Sequence, residues 1–96
     1  MKKTSTTTER KIYDAIINDE FSQRILAICK TAKSTEDIKK DLTRFIEAMP
    51  PVRPDVAETV GSRLDKLEEK KALLFKDGKW ETSEEAARVL EKYFAL

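Results

Sequence analysis

The side chains able to do chemistry in this 96-residue chain are few in kind. There is no His, and Cys29 is the one Cys. Zinc sites built from several Cys or His are therefore excluded, as is any acid–base pair that depends on imidazole. A disulfide framework needs paired cysteines, so a stapled secreted scaffold is excluded too. The chain has no Gly-rich phosphate loop and no Ser/His/Asp set. Its carboxylates lie among lysines at helix-surface spacings, the pattern of a salt-bridged surface. No enzymatic activity, metal or cofactor is expected. Cys29 falls on an apolar helix face, where it reads as a small core hydrophobe.

What remains is a set of cations and hydroxyls. The 19 basic and 18 acidic residues leave a net charge of +1, which excludes a nonspecific polybasic coat and a polyacidic tail. The balance is uneven: the first 34 residues carry a positive surplus, while residues 55–72 are slightly acidic. Apolar types make up 40 % and charged types 39 %. That is too apolar for a disordered chain, and two Gly with three Pro punctuate it too much for one long coiled coil. No apolar run approaches the roughly 20 residues of a membrane span or has the layout of a signal peptide. A cytoplasmic protein with no membrane partner is expected. Heavy Lys/Glu use, with Asn18 and Gln23 as the only side-chain amides, fits a thermophile.

These residues need elements to position them. Residues 1–7 are polar and aperiodic and read as a flexible tail; 8–96 form one domain. A helix from Thr8 carries Ile12, Tyr13 and Ile16. Asn18 and Asp19 end it and cap a second helix, which runs to about Ala32 with Phe21, Ile25, Ile28 and Cys29 on one face. Ser34 and Asp37 form an acidic capping box for a third helix along Ile38, Leu42, Phe45, Ile46 and Met49. Pro50 and Pro51 stop it, and Pro54 suits the first turn of a fourth helix. The fourth helix repeats Val56, Val60, Leu64 and Leu67 and ends near Lys71. Asp77-Gly78 then joins two short strands as a two-residue hairpin, with Phe75 opposite Trp80 and Lys76 opposite Lys79. Leu73, Phe75 and Trp80 share the expected core face. Thr82 and Glu85 suggest a capping box for a last helix with Ala86, Leu90, Tyr93 and Phe94. The fold class is mainly α with a small β-hairpin, about five helices and two strands.

The stretch Thr59-Val-Gly-Ser-Arg-Leu-Asp-Lys-Leu-Glu-Glu-Lys-Lys-Ala-Leu-Leu-Phe resembles the recognition helix and first wing strand of winged helix-turn-helix regulators. The following Lys79-Trp-Glu-Thr-Ser-Glu-Glu is similar to the second wing strand and the next helix start. Upstream, residues 18–29 look like the first core helix of archaeal ArsR-like regulators, and the likeness covers about residues 18–94. Two departures stand out. The connection from Thr43 to Pro54 is long, somewhat as in PadR-type regulators, and Lys71-Ala72 replaces a Gly that often closes the recognition helix, so that exit should differ.

The resemblance implies a sequence-specific, double-stranded DNA-binding transcriptional regulator, with the helix at about 55–71 in the major groove and the wing at 73–82 on the backbone. On the fourth helix, Thr59, Ser62 and Arg63 are the groove-reading types, since Arg can meet guanine O6 and N7 with two hydrogen bonds. Arg53, Lys66, Lys76 and Lys79 would meet phosphates. Lys2 and Lys3 could act as an arm on the backbone, or simply as a solvated tail. Asp55 and Glu58 suit the helix N-terminus through its dipole but repel phosphate. They keep open a second reading: a winged-helix protein-interaction or DNA-partition/replication module, with a protein partner in transcription or replication machinery. The apolar termini, Ile12, Tyr13 and Ile16 with Leu90, Tyr93 and Phe94, suggest a homodimer interface between terminal helices.

Overall fold

The computed structural model describes residues 3–48 and 55–96, with the side chains of 8–48 and 55–96. The chain runs α1 (Lys3–Ile16), α2 (Glu20–Ile28), α3 (Thr35–Glu47), α4 (Val56–Glu69), β1 (Leu73–Lys76), β2 (Lys79–Thr82) and α5 (Glu84–Val89). A wider π-type turn over Leu90–Phe94 continues α5. It is a mainly helical fold with one two-stranded antiparallel sheet among the described residues. Met49, Pro50, Pro51, Arg53, Pro54 and Lys2 lie outside the described residues. No helix is long and apolar enough, among those described, to cross a membrane.

Short polar side chains start the helices by accepting from backbone N–H groups that a first turn leaves without partners. Asp19 accepts from Ser22 N at the start of α2, Ser34 from Asp37 N at α3, and Asp55 from Ala57 N at α4. The last helix departs from expectation. Its cap is Ser83, which accepts from Ala86 N at 3.2 Å, one residue beyond the expected Thr82. Thr82 instead donates through Oγ1 to Leu26 O at 2.6 Å, because its strand lies against α2. Two more boundaries move: α2 stops at Ile28, and α1 starts at Lys3, inside the segment read as a tail. Once α1 is docked, each further turn toward its N-terminus adds hydrogen bonds without a new nucleation cost.

One core joins all the helices. Ile12 and Ile16 of α1, Ile25 and Leu26 of α2, Ile38 and Leu42 of α3, Val60 and Leu67 of α4, and Val89 and Leu90 at the C-terminal end are fully buried. Each such side chain contributes about 1.5–3 kcal/mol of burial. This corrects the interface expected between chains. Ile12, Ile16 and Leu90 face one another's helices within a single chain, so they are not available to a second copy. The apolar faces of the terminal helices are not surplus surface, because α1 and α5 cover each other.

The hairpin has the expected register, with Phe75 opposite Trp80 and Lys76 opposite Lys79. Asp77 and Gly78 both take positive φ, 54° and 76°, as a two-residue turn matched to strand twist requires. Trp80 is buried, but Phe75 is 51 % exposed. Phe75 lies on the Trp80 ring, centroids 4.6 Å apart, at the outer edge of the core face rather than in the core. The exit from α4 also departs from expectation. Lys71 adopts φ 65°, the left-handed conformation that Gly would have supplied. Ala72 N donates to Leu67 O and Lys71 N to Glu68 O, which is the Schellman pattern. The closing motif is thus retained with Lys in the Gly position.

Candidate nucleic-acid interface

The sequence-selected residues of α4 fall on three different surfaces. Thr59 is buried at 5 % exposure. It follows Val56 and precedes Val60 on the core side of the helix, so it cannot present its hydroxyl to a groove. Ser62 is exposed, its Oγ donating to Thr59 O at 3.2 Å. Arg63 and Lys66 lie on the edge of α4 that faces the corner between α1 and α2. Arg53 lies outside the described residues.

At that corner one carboxylate gathers both cations. Arg63 donates from Nε and Nη2 to Asp19 Oδ2 and Oδ1, at 3.2 and 3.3 Å. Lys66 Nζ donates to Asp19 Oδ2 at 2.7 Å and to Ala15 O at 3.2 Å. It thereby satisfies a carbonyl in the last turn of α1, where a cation is also favoured by the helix dipole. Ser22 Oγ donates to Asp19 at 2.8 Å. Burial by itself would raise the Asp19 carboxyl, but the hydrogen bonds from Lys66, Ser22 and Arg63 outweigh it and bring it down to about 2. The Asp19 side chain keeps 16 % exposure, against 29 % for Arg63 and 33 % for Lys66. Both cations can therefore still be reached from solvent.

Aromatic rings extend this edge across three helices. The Arg63 guanidinium stands 5.4 Å from the Phe21 ring centroid, Phe21 meets Phe45 edge-on at 5.9 Å, and Arg24 lies 4.2 Å over Phe45. Such contacts fix the plane of a guanidinium while leaving N–H groups at its rim. The outward face of α4 has the opposite character. Glu58, Asp65 and Glu69 are exposed there beside Gly61 and Ser62, while Asp55 is occupied as the helix cap.

The hairpin is tied to the α2–α3 connection. Lys33 N donates to Trp80 O at 2.9 Å and Trp80 N to Lys33 O at 2.7 Å. Trp80 Nε1 also donates to Thr35 Oγ1 at 3.0 Å. These bonds fasten the hairpin at Trp80 beside the start of α3. Lys76 and Lys79 are exposed at that tip and directly opposite each other. Like charges in this arrangement repel, so an anion between them would relieve the repulsion.

At the far end, Tyr13 meets Tyr93 and Phe94 with ring centroids 4.9 and 5.8 Å away. Tyr93 is 55 % exposed, and Ile17 and Leu96 are also exposed. Of the six residues expected at a dimer interface, Tyr13, Tyr93 and Phe94 therefore keep accessible surface. Glu9, Arg10, Asp14 and Lys92 rim a groove beside the two tyrosines.

Cys29 is buried as expected, and burial pushes its thiol up to about 12. No group of three or more His, Cys, Asp or Glu among the described residues is placed to hold a metal ion. Asp19 was legible as a helix cap from its position before Phe21-Ser22. Its second role could not be read locally, because Arg63 and Lys66 lie 44 and 47 residues away in sequence. Comparison with protein-family models, curated proteins and solved structures found no match to this chain.

Proposed function

We propose that this chain is a winged helix-turn-helix domain that binds double-stranded DNA as a cytoplasmic, homodimeric transcriptional regulator. The observation that carries the reading is the closure of the hairpin on the α2–α3 connection through the Lys33–Trp80 pair. With that closure the element order and the wing-like hairpin beside α3 fit a winged helix. Lysines stand at the hairpin tip, Arg63 and Lys66 line one edge of α4, and Ser62 is exposed on the adjoining outward face. The proposed contact set is thus Ser62 and Arg63 toward bases, with Lys66, Lys76 and Lys79 toward phosphates. It is smaller than the sequence suggested, because Thr59 is buried. So small a set fits a chain of net charge +1.

The homodimer rests on exposed Tyr93 with half-buried Tyr13 and Phe94, the two tyrosines lining a groove rimmed by both signs of charge, and on the exposed Ile17 and Leu96. A two-fold contact sets the same patch against itself, so a rim carrying both signs can pair across it. Two copies would present their α4 edges about 34 Å apart along the duplex. Sedimentation at tens of micromolar tests the assembly, and a monomer throughout would remove it.

The duplex reading is tested by anisotropy titration with random and genomic duplexes at two salt concentrations. Affinity should fall steeply with salt if phosphates are contacted. A second reading is favoured by the acidic outward face of α4, with Glu58, Asp65 and Glu69. In it the same domain is a protein-interaction module of transcription, replication or partition machinery. Duplex affinity that is absent, or flat with salt, would select this second reading.

A further inference from the structure

We propose that Asp19 is the positioning residue that presents Arg63 to a guanine edge. The inference rests on the duplex-binding reading and adds to it a residue outside α4.

A guanidinium has five N–H donors. In Arg63, Nε–H and one Nη2–H are held by the two oxygens of Asp19, and Nη1 donates to Ser62 Oγ at 3.2 Å. Two N–H groups remain, the number that a two-bond contact with guanine O6 and N7 requires. The Phe21 ring flanks the guanidinium, its centroid 5.4 Å away. Asp19 is itself held in place: Ser22 binds it through N and Oγ, and Lys66 Nζ binds it at 2.7 Å. Arginine ordinarily loses rotamer freedom on binding, and here that loss is taken during folding. Lys66 keeps the corner net positive, so fixing Arg63 on a carboxylate does not reverse its attraction to phosphate. The arrangement therefore orients Arg63 without fully neutralising the site.

Two rival roles make different predictions. A purely structural clip would hold α4 to the α1–α2 corner and affect stability alone. An autoinhibitory carboxylate would compete with phosphate, so its removal would strengthen binding to every duplex alike. Full-length wild type, Asp19→Asn, Arg63→Lys and the double variant separate these roles. The probes are a random duplex and a duplex enriched from a randomised pool by wild type, with thermal midpoints recorded in parallel.

Asp19→Asn should lower the preference for the enriched over the random duplex by about tenfold or more. Random-duplex affinity should not fall and its salt slope should hold, since a negative charge is removed and no phosphate contact is lost. Arg63→Lys keeps the charge but loses the two-bond geometry, and it should lose the same preference. The double variant should lose no more than either single one. A preserved preference with only a lower thermal midpoint overturns the proposal in favour of the clip. A parallel rise in both affinities overturns it in favour of autoinhibition. If Asp19→Asn does not fold, an unchanged preference in Arg63→Lys is enough to overturn it. Wild type that binds neither duplex removes the DNA reading itself, and the proposal with it, before any variant is made.

Discussion

Lys33 and Trp80 exchange two backbone hydrogen bonds, 2.9 and 2.7 Å long, across 47 residues of sequence. A two-stranded hairpin alone is marginal in water. This pair, with the Trp80 Nε1–Thr35 Oγ1 bond, fastens the hairpin to the helical core. Trp80→Ala should therefore cost about 3–5 kcal/mol. Phe75→Ala, which uncovers a half-exposed ring, should cost nearer 1 kcal/mol. Thr35→Ala, a milder test of the same junction, should cost about 1 kcal/mol. Chemical denaturation measures all three. Equal costs for Trp80 and Phe75 would contradict their unequal burial.

The exit of α4 offers an opposite case, a change expected to stabilise. Lys71 holds φ 65°, a conformation that costs an L-residue with a Cβ roughly 1–2 kcal/mol. Gly adopts it freely but gains entropy in the unfolded chain. Lys71→Gly should raise stability by up to about 1 kcal/mol, read as a higher thermal midpoint. A lower midpoint would mean that the Lys71 side chain contributes more than its backbone strain costs.

Acid should weaken the α1–α2–α4 corner in a defined window. The Asp19 carboxyl lies at about 2 in the folded chain, against an ordinary 3.8. A folded value below the unfolded one stabilises above the unfolded value and is lost as pH falls through the folded one. The ionised form thus contributes about 2 kcal/mol above pH 4. Stability curves of wild type and Asp19→Asn should run apart at neutral pH and converge between pH 4 and 2. A gap constant over that range would deny the carboxylate its role.

Cys29 should be chemically silent while the fold is intact. Burial both hides the thiol and raises it to about 12, and the thiolate is the reactive form. Alkylation at pH 8 should be slow in native protein and fast in denaturant. A native rate close to the denatured one would show that α2 opens readily.

Most of the local structure was legible because its causes are local. Ser34 and Asp19 cap helices a few residues away, and Asp77-Gly78 specifies its own turn. The sequence misplaces the cap of the last helix by one residue, at Thr82 instead of Ser83, since both carry a hydroxyl able to cap. The choice was settled by Leu26 O, which takes the Thr82 hydroxyl. The expectation of a different exit after α4 failed for a related reason. Two backbone hydrogen bonds to Leu67 and Glu68 enforce the Gly-like conformation on Lys71.

The sequence by itself determined the helix stripes, the caps of α2 and α3, the hairpin register and the absence of imidazole or multi-cysteine chemistry. Those follow from side-chain type and spacing within a few residues. Which apolar surfaces would meet was decided only by the tertiary structure. It turned Ile12, Ile16 and Leu90 inward against each other, left Tyr93 outside, and buried Thr59. It also brought Arg63 and Lys66 to Asp19. Periodicity marks a face as polar or apolar, but a cation on that face has no local signal for its partner. The partner depends on where a distant helix corner comes to rest.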